Sequence, residues 1–329
     1  MIIKAVCPTR LSLFGGGTDL PEYSDNYGGL VVNMAINIYQ TVVMFSETDV
    51  FKCRGPQSGH WFPVGANPEF YYKILEEFNL NNSTHLTRLN CEFEGIIESG
   101  IGSSASVAVA LIGGISKRLN LNMSLEEISV KAWEIEVDKI GLYGGKQDQY
   151  AAAFGGVNAI EFRKDKIEIT PLAKTFIEQL LPSVVLFYTK SNRKSAKIQE
   201  GFRALSKQQI KTLDSIKQIA LDSITPIGEG DVQAVGELLD KAWILKKESN
   251  KGVSNQEIDT IYEKAKKAGA LGGKICGAGG GGFMLFIVLP VKREAFIKEM
   301  EKEGLQWWDF DIDWNGLKVR VLNDYKYTD

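Results

Sequence analysis

The segment Gly100-Ile101-Gly102-Ser103-Ser104-Ala105-Ser106 constrains this chain most. A glycine turn there runs into hydroxyl side chains and then into the apolar stretch Val107-Ala108-Val109-Ala110-Leu111-Ile112. That order predicts a helix whose body enters a core while its N-terminus stays open. Free backbone N–H groups and the positive end of the helix dipole favour an anion, and glycines let the main chain approach it, so the segment reads as a phosphate cradle. An ordinary capped core helix would use the same residues.

A chain of 329 residues with 44% hydrophobic content can build real cores, and we expect two closely packed domains, 1–180 and 181–329. The division is placed just before a short apolar strand, Val184 to Thr189. A net charge of -3 gives no support for a nucleic-acid partner. The apolar runs are too short to cross a bilayer, and Met1 to Val6 reads as a strand without a signal-peptide layout. A cytoplasmic protein acting on small molecules is therefore expected. Cys7, Cys53, Cys91 and Cys276 lie far apart, with no zinc spacing, and read as reduced, mostly buried thiols.

Periodicity supplies the coarse structure. Ser124 and Glu127 form a capping box, after which Leu125, Ile128, Ala132 and Ile135 recur on one helix face to about Lys139, with Glu136 near the far end. Ile258, Ile261, Tyr262, Ala265 and Ala268 predict a second helix that stops at Gly269, and Phe283 to Leu289 predicts a strand. Asn315-Gly316 separates two alternating runs, so a two-residue hairpin is expected, with Trp314 opposite Leu317, Ile312 opposite Val319 and Phe310 opposite Val321 on a core face. The other face would pair Asp313 with Lys318 and Asp311 with Arg320, which accounts for the Asp309, Asp311, Asp313 series without a metal. Helices mixed with hairpin strands point to an α+β class.

The commonest nucleotide-binding motifs are absent. Gly145-Lys146 precedes Gln147 and Gly273-Lys274 precedes Ile275, where a P-loop needs Ser or Thr. Gly277-Ala278-Gly279-Gly280-Gly281-Gly282 fits G-x-G-x-x-G by letter but leads into a strand, whereas the dinucleotide fingerprint opens a helix. No His-Arg-Asp or Asp-Phe-Gly occurs, which excludes a protein kinase.

Three segments in order carry a family resemblance: Pro8-Thr9-Arg10 through Gly15-Gly16-Gly17-Thr18-Asp19, then Gly100 to Ser106, then Gly277 to Gly282. Together they resemble the three motifs of the GHMP kinases, the superfamily of galactokinase, homoserine kinase, mevalonate kinase and phosphomevalonate kinase. Leu13 to Pro21 and Gly144-Gly145-Lys146-Gln147-Asp148-Gln149-Tyr150 look most like its heptose 7-phosphate kinase branch. The resemblance implies an α+β fold of two domains, the first like ribosomal protein S5 domain 2 and the second ferredoxin-like. It also implies ATP held by Gly100, Ile101, Gly102, Ser103, Ser104, Ala105 and Ser106, with Mg²⁺ on Ser104 and Glu136. Asp148 would face the attacking hydroxyl beside Arg10, Thr18 and Asp19 would bind the sugar, and Gly277, Ala278, Gly279, Gly280 and Gly281 would shape the cleft near the phosphates. The twelve-residue step from Glu136 to Asp148 agrees with the spacing in galactokinases. Gly16-Gly17 replaces their Glu-His, which turns the expectation away from galactose. Ile97-Glu98-Ser99 stands where many members carry a proline.

Taken singly, these residues have other uses. Asp148 could cap a short helix from Gln149 to Phe154, Arg10 could be a surface ion-pair residue, Asp19 an Asx-turn former and Glu136 a solvated helix residue. Trp61 and Tyr71 could line the nucleotide site or pack a core. His60 and His85 lie far from the motifs, so the proton acceptor for a hydroxyl is expected to be a carboxylate. The implied activity is ATP-dependent phosphorylation of the C1 hydroxyl of a heptose 7-phosphate. A kinase for free fucose or another hexose, and a non-catalytic sugar-binding regulator, are the alternatives. Lys190, Arg193, Lys194 and Lys197 follow the strand at Val184, and Arg193, with its planar fork, is expected to grip the substrate phosphate.

Overall fold

The computed structural model describes residues 2–46, 59–63, 65–80, 86, 88–190, 202–250 and 252–323. Its larger sheet is built on two long strands, β1 (Ile2–Phe14) and β2 (Gly29–Phe45). The N-terminal part of β2 pairs β5 (Val157–Arg163), and its C-terminal part pairs β4 (Arg88–Phe93). The order is β11 (Lys318–Leu322), β1, β2, β4 and β3 (Gly59–Trp61), with β6 (Lys166–Pro171) added on β5. Only the β3–β4 pairing is parallel among the described strands.

The smaller sheet runs β10 (Gln306–Trp308), β7 (Val184–Tyr188), β9 (Phe283–Val288), β8 (Ala270–Ile275), all antiparallel. Its central strands β7 and β9 are apolar at every position because both faces are covered. Leu186, Leu285 and Ile287 join Leu11, Leu13, Val32 and Met34 of the larger sheet in one core. Phe187, Phe286 and Val288 face the other way and pack with α9 (Gln256–Ala268) and α10 (Arg293–Lys302). α9 ends where its pattern says it should, at Gly269 in the left-handed region with φ 109°. Two longer helices, α7 (Lys207–Glu229) and α8 (Val232–Ser249), lie against the shared core. Helices and antiparallel sheets are thus combined as an α+β fold. Among the described residues no helix is long and apolar enough to cross a membrane.

The Asn315-Gly316 hairpin does not form. The run before it makes only an isolated bridge, Ile312 to Ile36 of β2, while the run after it forms β11 and pairs β1. Asp313 holds the intervening turn: it is 3% exposed, accepts the Asn315 and Gly316 N–H groups on Oδ1, and accepts the Tyr39 hydroxyl on Oδ2. A buried carboxylate needs those donors, and supplying them sets the chain direction. Its pairing with Lys318 does occur, at 3.5 Å, but across this turn. Because β11 returns to β1, a single cut after residue 180 leaves one strand of the larger sheet on the far side of it.

Candidate active site

Helix α3 (Ser103–Leu119) is apolar nearly all round and buried from Ala105 to Ser116, so the core holds it firmly. Gly102 starts it in the left-handed region at φ 74°, no side chain caps it, and its first turn carries no acid. Its open N–H groups and dipole therefore face a cleft of about 1150 Å³, large enough for two small ligands side by side. Ser103, Ser104 and Ala105 line this cleft. Ser106, a turn further on, does not: its hydroxyl is fully buried and lies on the Cys7 and Pro8 carbonyls. Ile101 also turns into the core, and its carbonyl accepts the Arg10 N–H. Just before the loop, Glu98 adopts φ 60°.

Arg10 and Asp148 meet across the cleft wall. Arg10 is on β1, beside a register shift at Pro8/Thr9 that re-aims the strand. Its Nε and Nη2 donate to the two Asp148 carboxylate oxygens, and its Nη1 donates to the Gly100 carbonyl at 2.7 Å. Arg10 is 4% exposed, so it is no surface residue. Asp148 does not cap a helix; it lies within the first turn of α5 (Gln147–Phe154). A Cβ built on Gly102 would lie 3.2 Å from Asp148 Oδ2, which brings the carboxylate up against the phosphate loop.

Glu136 reaches the same cleft from a different element. Helix α4 (Leu125–Glu134), with its Ser124–Glu127 capping box, widens into a π turn over Ile135–Lys139. That turn places Glu136 inward at 5% exposure, where it accepts from Gln149 Nε2 and is hydrogen-bonded to Ser104. Burial pushes its carboxyl up to about 7, against the hydrogen bonds from Gln149 and Ser104. Gln149 Oε1, on the same amide, is buried without a partner. Glu136 and Ser104 are hard oxygen donors with no cation beside them among the described residues, a set that fits Mg²⁺ completed by water and phosphate oxygens.

Asp19 lines the cleft but its carboxylate is engaged by the protein. It accepts from Gly17 N–H, Gln147 N–H and Gln147 Nε2, and burial together with the Asp148 charge raises its pKa. Gly145 permits this close approach, since a Cβ there would sit 2.0 Å from Asp19 Oδ2. Thr18 is not a cleft residue. Fully buried, its hydroxyl accepts Leu30 N–H and lies on the Gly15 and Leu30 carbonyls.

The glycine-rich stretch closes the cleft from the C-terminal half. Gly277 and Ala278 line it, whereas Gly279, Gly280 and Gly281 are buried behind them. Gly277 and Gly100 touch backbone to backbone: a Cβ on either would lie 2.7 Å from the other's loop. Tyr71 lines the cleft and Trp61 lies outside it, under the Arg88 guanidinium. Arg193, Lys194, Lys197, His85 and Cys53 lie outside the described residues; Cys7, Cys91 and Cys276 are free and buried. Sequence reasoning missed Ser12, Gln40, Gln147 and Gln149, whose buried oxygens lack partners here, and Lys246. Ser12, Gln147 and Gln149 lie inside the motif segments without being singled out by them, whereas Gln40 and Lys246 have no local sequence signal, because only the tertiary fold brings them to the cleft.

Residues 69–156 match the family described as GHMP kinases N terminal domain, and residues 220–305 match GHMP kinases C terminal. The chain is 32% identical over 334 residues to a D-glycero-alpha-D-manno-heptose 7-phosphate kinase of Campylobacter jejuni, covering 96% of this chain and 98% of that one. It is 29% identical over 304 residues to a mevalonate kinase of Archaeoglobus fulgidus, covering 92% and 98%. Its fold superposes with a TM-score of 0.77 on a crystal structure described as a D-glycero-D-manno-heptose 1-phosphate kinase from Bacteroides thetaiotaomicron, at 25% identity over 98% of this chain and 100% of that one. A full-length relative at this identity, matched family domains in both halves and three motifs converging on one cleft establish that the chain belongs to the GHMP kinases.

Proposed function

We propose that this GHMP kinase is a cytoplasmic, ATP-dependent sugar-phosphate kinase. It phosphorylates the C1 hydroxyl of D-glycero-D-manno-heptose 7-phosphate to the 1,7-bisphosphate used in nucleotide-activated heptose synthesis. The substrate is suggested by the similar Campylobacter jejuni enzyme. The observation that carries the chemistry is Asp148, gripped by Arg10 and aimed at the N-terminus of α3.

Phosphoryl transfer asks mainly for positioning and charge stabilisation. The open N–H groups of Ser103, Ser104 and Ala105 hold the ATP phosphates. Glu136 and Ser104 would hold Mg²⁺, which would supply positive charge to neutralise the ATP phosphates. Asp148 accepts a hydrogen bond from the sugar hydroxyl and takes its proton as the new bond to γ-phosphorus forms; the bond from that phosphorus to the β–γ bridging oxygen breaks and ADP leaves. Arg10 fixes both Asp148 oxygens, so the carboxylate cannot rotate away. Asp19, Gly145 and Gln147 form the wall against which the sugar lies, and Arg193 grips the distal phosphate.

ADP release from ATP and Mg²⁺ tests this, comparing the heptose 7-phosphate with unphosphorylated heptose, fucose and mannose. Turnover confined to the heptose phosphate is expected. Activity on a free sugar would discard the phosphate site. Asp148→Asn is expected to lose most turnover while still binding ATP, and full activity in that variant would remove Asp148 from the mechanism.

A further inference from the structure

One charged side chain from the C-terminal half enters the cleft without a role in the steps above. Lys246, near the C-terminal end of α8, lines the cleft with Arg10, Gly100, Gly102 and Gly277. Its ammonium donates to the Gly277 carbonyl at 2.5 Å, with the Ile275 carbonyl 3.5 Å away. Neither partner is charged, and among the described residues it has no carboxylate within ion-pair distance. A second lysine lies behind it: Lys274 on β8 is 3% exposed, and its Nζ donates to the Ser12 and Leu13 carbonyls of β1. Burying positive charge beside carbonyls alone is costly; burial and the neighbouring Lys246 push the Lys274 pKa well down, while Lys246 borders the open cleft.

We propose that the Lys246 ammonium is a catalytic group that binds the terminal phosphate of ATP and stays on the phosphoryl group as it passes to the acceptor. Its place supports this. It bonds to Gly277, which touches Gly100 of the phosphate loop, and Gly100 in turn accepts from the Arg10 that holds Asp148. The ammonium therefore sits where the end of the nucleotide meets the acceptor hydroxyl. The ammonium also has three donors, of which the two carbonyls occupy at most two. Positive charge around the moving phosphoryl oxygens is what the transition state requires. Burial, with Arg10 nearby, holds the Lys246 pKa down to about 8, as expected of an ammonium awaiting an anion.

The inference rests on the kinase reading above, and its test does not depend on the sugar. Calorimetric Kd values for ATP and ADP with Mg²⁺ are compared between the full chain and Lys246→Met, with thermal unfolding to verify that the variant folds. ATP affinity should fall about tenfold or more, the worth of one charge-assisted hydrogen bond, while ADP affinity holds. With the heptose phosphate, kcat should fall on the order of 10²-fold at unchanged sugar KM. Lys246→Arg should restore part of the preference for ATP over ADP. Equal weakening of ATP and ADP, or no change in either, overturns the proposal. So does a loss confined to sugar-phosphate binding, which would put the ammonium on the acceptor. Failure of the substrate reading shows separately, as a wild-type protein silent on the heptose phosphate, and the ATP–ADP comparison still decides the role of Lys246.

Discussion

Replacing Arg10 with Met tests whether the Asp148 carboxylate is aimed by its partner. The guanidinium makes three bonds, two to Asp148 and one to the Gly100 carbonyl, so the variant loosens the proposed base and the phosphate loop together. Removing one member of a fully buried pair costs about 3–5 kcal/mol, since the other charge is left unpaired. The Arg10 side chain is 5% exposed but that of Asp148 is 26%, so water can partly replace the lost partner. The lower end applies, about 3 kcal/mol of folding stability. A carboxylate free to turn should also lose about 10²-fold in kcat, because misplacement of the order of an ångström costs that much. Arg10→Lys keeps the charge without the fork and should recover some stability but little kcat. Urea unfolding and ADP release read the two effects separately. An unchanged urea midpoint together with unchanged kcat would refute the reasoning, and lost stability with full kcat would confine the pair to holding the fold.

Two further outcomes follow from neighbouring groups. Ser106→Ala should lose about 1 kcal/mol of stability with ATP Kd unchanged, since its hydroxyl serves the Cys7 and Pro8 carbonyls and the Cys7 side chain, all away from the cleft; a weakened ATP Kd in calorimetry would return it to the site. Glu136 has a folded pKa of about 7 against an ordinary value of 4.5, so it binds its proton more tightly in the folded state; its stabilisation is complete below 4.5 and is lost as pH rises through 7. In EDTA this group should make the wild-type protein up to about 3 kcal/mol less stable at alkaline than at mildly acidic pH, and Glu136→Gln should flatten that slope. Parallel urea-midpoint profiles for the two proteins would contradict the burial argument.

Local chemistry made some elements readable. The Ser124–Glu127 box, the stop at Gly269 and the apolar run Phe283 to Val288 each depend on neighbours in sequence, and each formed. The phosphate loop was legible for the same reason, although motif letters alone overstated it. A helix turns each side chain about 100° from the last, so Ser104 and Ser106 in one motif face opposite surroundings. Alternation at Asn315-Gly316 signalled the strand β11 but could not name its partner β1, nor that the run before it would bridge β2 at Ile312 and turn on a buried Asp313. Lys246 was illegible, because nothing in a helix ending Lys246-Lys247-Glu248-Ser249 says that one lysine will meet a glycine loop thirty-one residues on.

The pairing of β11 with β1 sets the order in which the larger sheet can be finished. Ile2 lies beside Leu322 and Val6 beside Lys318, so β1 keeps an open edge until the chain has been made as far as β11. Contacts that distant in sequence form late and expose strand edges meanwhile. The same pairing leaves the two ends of the sheet as neighbours in space, so a chain circularly permuted across Ile2 and Leu322 would supply both strands as one local unit and close that edge early in synthesis.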